Sequence, residues 1–490
     1  MTFRRFALYA ILLIFIVLLF VLIPRTAPWK AGLSRFNPVS ISFAYCSNSE
    51  DVEKLTNEMV ERFNKSVGKD VGIVVEARNY KSVDYYSSLV SDFLVGGITN
   101  ADISDINMVN YETAYLAKTM NKIASIDDYL EEEELSEYIR GYLERGRYTS
   151  DSKRFVFPIN NDTKVIYVNN VQWERFKQAN PGYDESVFET WESLVEVSMR
   201  YYDWTDSLTP DIEGDGKAFI AFDSLSDYIF TSSNQLMNSI IQPGHKEVRI
   251  NLDKRALYRL WEPVYKGFIY GGISIQRREN KSELMTSGDI VCYIASTKNV
   301  DEFPLAFMFM NKVGETKLRV YDFPTFNNQR KVSPMEGDGL IVLKSDSKKE
   351  FACFYFLDWL VTQDEYVQIC YDEMVMPVKH DSHYSEYAIT LVENGQKAKE
   401  AMKKHRAIVF EAASQQVLEG EPYAPVAFSK SSKFMQEVED SFYDNVFAGI
   451  MEVDRLTEKG YDRRDSVEQV ASNELFEIWY QSLKSIAEKY

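Results

Sequence analysis

Between Val39 and Ile106 the side-chain pattern changes period several times, and this alternation restricts the fold more than any other feature of the chain. Val39-Ser-Ile-Ser-Phe-Ala-Tyr45 alternates as a strand does. Val52, Leu55, Met59, Val60 and Phe63 then recur at spacings of three and four, one apolar stripe of a helix over 50–66, with Glu50, Asp51 and Glu53 at its positive start. Val71–Ala77 reads as a strand, Val83–Leu94 as a helix and Ala101–Ile106 as a strand. The order β-α-β-α-β predicts an α/β fold whose mainly parallel sheet carries helices on its faces. Ligands of such sheets gather beyond the carboxyl ends of the strands. The loops there, Cys46–Ser49 and Asp105–Tyr111, offer Asn48, Ser49, Asp105, Met108, Asn110 and Tyr111 to a neutral polar ligand. Asn48 or Ser49 equally reads as a helix cap.

Residues 6–23 form an uncharged apolar run directly after Arg4 and Arg5. An export signal has an apolar core of roughly 7–15 residues and a small-residue cleavage site, whereas a membrane span needs about 20. The length of the run, and the poor peptidase site at Pro24–Pro28, predict a retained N-terminal transmembrane anchor in residues 1–30 with the rest outside the cell; a cleaved signal is the alternative. The basic flanks, Arg4 and Arg5 against Arg25 and Lys30, are balanced and do not fix orientation. The net charge is −19, and residues 1–30 hold four basic and no acidic side chains, so the remainder carries −23. That field disfavours nucleic acid and anionic lipid as partners. About 460 residues beyond the anchor are enough for two lobes of ordinary size.

The four cysteines, Cys46, Cys292, Cys353 and Cys370, follow no metal-ligand spacing and allow one disulfide at most. His380-x-x-His383 has helical metal-ligand spacing but sits in what reads as a polar loop after Pro377. Asp211-x-Glu213-x-Asp215-Gly216 resembles the first half of a calcium loop, with Asp211, Glu213 and Asp215 as candidate ligands; Phe222 stands where a bidentate acid is expected, and a solvated Asp-Gly turn is the alternative. No other cofactor is implied. The 74 acidic residues could conceal a glycosidase pair, yet no compact acidic motif, nucleophile triad or phosphate-cradling glycine loop is present. Glu131–Glu134 reads as a solvated helix face. The residues thus offer no catalytic constellation, and an enzyme is not expected.

Arg154-Phe-Val-Phe-Pro158 leads through Asn160, Asn161 and Asp162 into the strand Val165–Asn169, a natural place to pass between lobes. Helical patterns follow at Val171–Gln178 and Trp191–Tyr201, and an apolar strand within Met285–Ser296 could return to the first sheet. Phe157-Pro158 with Tyr167-Val168-Asn169, Ser287-Gly288-Asp289 before Tyr293–Ser296, Asp322-Phe-Pro324 with Gly337-Asp-Gly339, the aromatic helix Phe351–Leu360 and Met376-Pro377 occur in an informative order. In this order the chain, from about Val39 to Tyr490, resembles the family 1 extracellular solute-binding proteins of ABC importers, the maltose-binding-protein-like receptors.

The resemblance implies a periplasmic-binding-protein-like type II fold. An N-terminal lobe would be built from 39–156 and 285–326 and a C-terminal lobe from 157–284 and 327–490, with crossings near Phe157, Ser282 and Pro324–Val332. It implies capture of a sugar or oligosaccharide by hinge closure and its presentation to permease subunits, by a monomer. Beside the first-lobe loops, the residues matching ligand-facing positions are Asn160, Asn161, Asp162, Ser296, Thr297 and Lys298. Phe222, Asp223, Tyr228, Met335, Glu336 and Trp204 extend the set. Aromatic faces for ring stacking and polar groups for hydroxyls are what sugars require. Trp359, in helical register with Phe351, Phe354, Tyr355 and Phe356, reads as packing. Gram-positive relatives are usually lipid-anchored through a cysteine that is absent here, so a helix would serve as tether. A membrane-tethered sensor is the alternative function, and an anchored glycoside hydrolase a further one. Asn394–Arg406 and Lys433–Phe442 look like long charged helices of a larger second lobe.

Overall fold

A computed structural model describes residues 32–97, 103–149, 153–212, 214–245, 247–277 and 280–490. The apolar run 6–23 and Glu213 lie outside these residues. Among the described residues no helix is long and apolar enough to cross a membrane. The strands are β1 (Val39–Tyr45), β2 (Ile73–Asn79), β3 (Ile106–Val109), β4 (Phe157–Asn169), β5 (Ile220–Phe222), β6 (Ile241–Pro243) and β7 (Val248–Ile250). They continue as β8 (Cys292–Ser296), β9 (Ala306–Phe309), β10 (Lys312–Glu315), β11 (Leu318–Tyr321), β12 (Val332–Val342) and β13 (Glu421–Tyr423).

Packing divides the chain into two units. The first comprises Met1–Tyr138, Lys153–Phe157 and Gly339–Tyr366, the second Ile139–Ser152, Pro158–Asp338 and Val367–Tyr490. The sheet of the first unit runs β2-β1-β3-β12, with β1 parallel to both β2 and β3 and the end of β12 antiparallel to β3. Helices Glu50–Lys65 and Val83–Leu94 supply the crossovers that parallel neighbours require. Each starts where a serine, Ser49 or Ser82, accepts a hydrogen bond from an otherwise orphan backbone N–H. Phe63 of the first helix meets Phe356 and Trp359 edge-on or tilted, 5.1 and 4.9 Å between ring centres, so Trp359 packs as its register suggests.

The second unit has a mixed sheet instead of the mainly parallel one expected. β8 is antiparallel to β4 and parallel to β5, β11 is antiparallel to β4, and β13 is parallel to the start of β12. β5 and β8 are joined through intervening helices, the crossover that a parallel pair requires. Its core is aromatic: Trp173, Phe176, Phe188, Tyr201 and Phe219 form one cluster, and Trp191, Phe222, Tyr228 and Phe323 another.

Several expectations are corrected. Residues 101 and 102 of the strand expected at Ala101–Ile106 lie outside the described residues; the strand that is described runs from Ile106 to Val109. Met285–Ser296 does not return to the first sheet, because β8 hydrogen-bonds to β4 and β5; the whole of 285–326 lies in the second unit. The chain passes between units after Tyr138, Ser152, Phe157, Asp338 and Tyr366. Asn394–Arg406 is broken at residues 398–400, between helices Glu386–Lys397 and Ala401–Glu419. Cys292 and Cys353 are buried free thiols. Glu131 and Glu134 form a capping box at a helix start, each carboxylate holding a backbone N–H.

Gly337 holds β12 against β4. Its φ is +124°, and a Cβ there would lie 1.7 Å from the carbonyl oxygen of Asn160. Gly337→Ala therefore combines a backbone strain with a backbone clash and is expected to cost about 3 kcal/mol, read as a lower urea midpoint at unchanged slope.

Candidate functional site

β4 changes character along its length. Val165–Val168 are fully buried, but ahead of them Asn160-Asn-Asp-Thr-Lys164 brings polar groups into the interior of the second unit. Alternation puts Asn160, Asp162 and Lys164 on one face of the strand and Asn161 and Thr163 on the other. Lys164 is 4 % exposed. Its Nζ lies 3.3 Å from Asp227 Oδ2 and 3.0 Å from Glu336 Oε2. Burial alone would lower the ammonium, but the charges of Asp227, Glu336 and Asp162 outweigh it and hold Lys164 above its ordinary value. Asp227 is pushed up by burial and by Glu336, against the pull of Lys164. Carboxylates outnumber the ammonium they share, and the more buried acid gives way.

Asp162, 2 % exposed, accepts a hydrogen bond from Ser296 Oγ and lies 3.6 Å from Lys298 Nζ. Ser296 Oγ also accepts from Lys298 N at 3.1 Å. The side chain of Asn161 is buried, and neither Oδ1 nor Nδ2 has a hydrogen-bond partner among the described residues; its backbone oxygen accepts from Met376 N at 2.6 Å. The hydroxyl of Tyr142, fully buried, is likewise open. Burial first and the charge of Asp162 second push that phenol well above its usual range, so it stays neutral. Donors, acceptors and a matched set of charges thus converge at the polar end of β4.

The expected residues separate into those that join this cluster and those that do not. Asp162, Ser296, Lys298 and Glu336 join it, and Asn160 and Asn161 flank it on β4. Thr297 is spent on the protein, its hydroxyl donating to Met374 O at 2.6 Å. Met335 is buried. Phe222 and Tyr228 belong to the core around Trp191, and Tyr228 donates to Leu260 O at 2.5 Å. Trp204 stacks on Phe309, 6.0 Å between centres, beside Phe176. Asp223 is exposed, and its backbone N–H donates to Ile294 O.

In the first unit the expected residues serve the fold. Ser49 and Asn110 cap helices, accepting from Val52 N and Thr113 N, and Asn48 is exposed. Asp105 accepts from both the backbone N–H and the hydroxyl of Ser42 and pairs with Lys349 at 2.7 Å. Met108 and Tyr111 are buried, because Asp105–Tyr111 is a strand and a helix start and not a loop. Lys164, Asp227 and Tyr142 are absent from the sequence reading. Lys164 was legible as a lone cation at the head of an apolar strand; nothing in the sequence marked the other two.

Among the described residues no three His, Cys, Asp or Glu side chains gather as metal ligands. In the acidic loop Asp206 Oδ1 accepts from the backbone N–H groups of Gly214 and Asp215, and Asp215 accepts from Thr209, while Asp211 is exposed. His380–His383 is a helical turn and not a loop, and its second histidine is buried. His383 Nε2 lies 2.8 Å from Pro377 O, which fixes the proton on Nε2, and Nδ1 has no hydrogen-bond partner among the described residues.

The comparisons with known proteins fit this architecture. No family model matches the sequence, and no curated protein matches it. Solved structures do. The cyclic α-maltosyl-1,6-maltose binding protein of Arthrobacter globiformis is 11 % identical over 93 % of this chain and 100 % of its own, with a TM-score of 0.64. An extracellular solute-binding protein from Staphylococcus aureus in complex with maltose is 14 % identical over 92 % and 99 %, TM-score 0.56. An ABC substrate-binding protein from Listeria monocytogenes in complex with cycloalternan is 17 % identical over 89 % and 98 %, TM-score 0.54. The chain has the α/β fold of extracellular solute-binding proteins.

Two predictions follow the site's electrostatics. Lys164→Met leaves the acids of Asp227 and Glu336 without their counter-charge and is expected to cost about 3–5 kcal/mol in chemical denaturation, most of it recovered by adding Asp227→Leu. Burial pushes His383 down to about 4. A base whose folded value lies below its unfolded 6.5 stabilises fully above 6.5, and that stability drains as pH falls toward 4. Over this window the wild type is expected to lose about 3 kcal/mol more than His383→Gln, measured by urea titration at each pH.

Proposed function

We propose that this protein is the extracellular substrate-binding component of an ABC importer, capturing a neutral sugar or oligosaccharide for permease subunits. The observation that carries the reading is the polar end of β4. Hydroxyl-rich ligands need many donors and acceptors and little net charge, and Asn161, Asp162, Ser296, Lys298 and Glu336 supply both with their charges largely matched. The unpartnered amide of Asn161 is the group that most requires a ligand, since buried amides are almost always paired. Solved proteins of this fold hold maltose and cycloalternan, which supports carbohydrate as the ligand class. Binding without turnover is the reading: Asp227 and Glu336 are occupied by Lys164 and are not set as an acid and base across an open bond. Residues 6–23 act as the tether that keeps the protein at the outer membrane face, a reading supported by their length and lack of charge.

The test is a thermal-shift screen of the full chain against neutral oligosaccharides, polyols, sugar acids and peptides, followed by calorimetry. A neutral oligosaccharide at a hundred times its Kd is expected to add about 2.7 kcal/mol of stability. Asp162→Asn is expected to weaken that ligand roughly tenfold, about 1.4 kcal/mol, with the unliganded protein still folded. A response confined to peptides, or release of reducing ends from the bound glycan, would overturn the reading.

A further inference from the structure

The second unit holds a cavity of about 490 Å3 formed where β11, the start of β12, residues 188–190 and helix Ala401–Glu419 meet. On its wall the rings of Phe188 and Tyr321 are stacked, centroids 4.3 Å apart and planes 14° from parallel. Ser333 is 3 % exposed, and its Oγ has no hydrogen-bond partner among the described residues. The buried Oη of Tyr321 has none either. Two open hydroxyls on one cavity wall are unusual, because interior polar atoms are almost always paired.

Charge narrows what could pair them. Lys331 is already matched, 3.7 Å from Asp322 and 3.2 Å from Glu419, so the cavity offers no spare cation to an anion. An anion would also face the carboxylates of Asp322 and Glu189, which line the same space. A quaternary ammonium would suit that charge but could neither donate to nor accept from the Ser333 and Tyr321 hydroxyls. Burial pushes Tyr321 up to about 12, which keeps its phenol a neutral donor. A ring bearing several hydroxyls satisfies every condition: an apolar face for the aromatic wall, and groups that both give and receive hydrogen bonds. The volume is within the range of small-molecule sites.

We propose that this cavity is a second binding site, separate from the β4 cluster, for a small neutral polyhydroxylated ligand of hexose or disaccharide size. It does not depend on the importer reading. Gln416 nonetheless connects the two places: its Oε1 accepts from Phe323 N at 2.6 Å on the cavity side, and its Nε2 donates to Thr163 Oγ1 at 2.8 Å and to Lys164 O at 3.0 Å.

Hydrogen–deuterium exchange of the full chain tests this with glucose, sorbitol, choline and inorganic phosphate as probes. Glucose or sorbitol at millimolar concentration is expected to slow exchange over residues 318–325 and 331–333 at least threefold, with choline and phosphate inert. Ser333→Ala removes an unpartnered hydroxyl with little change in volume, so it should melt no lower than wild type and lose the slowing. Asp322→Asn gives an independent variant expected to weaken it. Protection over residues 160–164 and 296–298 reports the β4 cluster separately, so failure of one site is distinguishable from failure of the other. No slowing with either polyol, slowing by choline or phosphate alone, or undiminished slowing in both variants would overturn the proposal.

Discussion

One buried ammonium organises the polar half of the second unit. Lys164 has almost no access to water, and an isolated charge there would be prohibitive. It persists because Asp227, from the first turn of a helix, and Glu336, from β12, bring negative charge to it from two other elements. The arrangement fixes the position of β4 relative to that helix and that strand, and it holds Asp162 and Asn161 within two or three residues of a fixed point. Thr163 adds a hydrogen bond from its hydroxyl to Pro334 O at 2.8 Å, and Gly337 lets the backbones of β12 and β4 approach as no side-chain-bearing residue would. A strand that must display polar groups in a buried setting is thus tied down on both of its faces.

The same economy of charge underlies the proposed reading of this cluster as a place for binding. Glycoside hydrolysis needs one carboxyl free to give a proton and another free to attack or to activate water. The acids around β4 are instead engaged: Asp162 with Ser296 and Lys298, Asp227 and Glu336 with Lys164. Groups held in mutual pairs can exchange those partners for the hydroxyls of a guest without any change in covalent bonding.

What the sequence disclosed follows from the range of the forces involved. The helices starting at Glu50 and Val83 were legible because period, cap and first-turn charge are all local. β3 was misplaced by a few residues because its apolar stretch is short and the residues ahead of it are equally uncommitted. The assignment of Cys292–Ser296 to the first sheet failed because strand pairing is decided by partners more than a hundred residues away, here Lys164–Val168. Among the candidate residues, Asp162, Ser296 and Lys298 lie together at the polar end of β4, whereas Phe222, Tyr228 and Trp204 pack among other rings, as most rings do in a chain with 31 tyrosines, 30 phenylalanines and seven tryptophans. Asp227 was invisible: an acid in the first turn of a helix is the commonest kind of acid, and only the fold shows that a lysine points at it.

The sheet of the first unit is completed by Gly339–Val342, some 230 residues after β3. At ordinary synthesis rates of about 5–20 residues per second, the ribosome needs roughly ten to fifty seconds to deliver the missing edge. Throughout that interval β1, β2 and β3 have no fourth neighbour and Phe63 no Phe356 or Trp359 to cover it. A nascent chain built this way stays open until most of it has been made, which is the condition a translocation channel demands of its cargo.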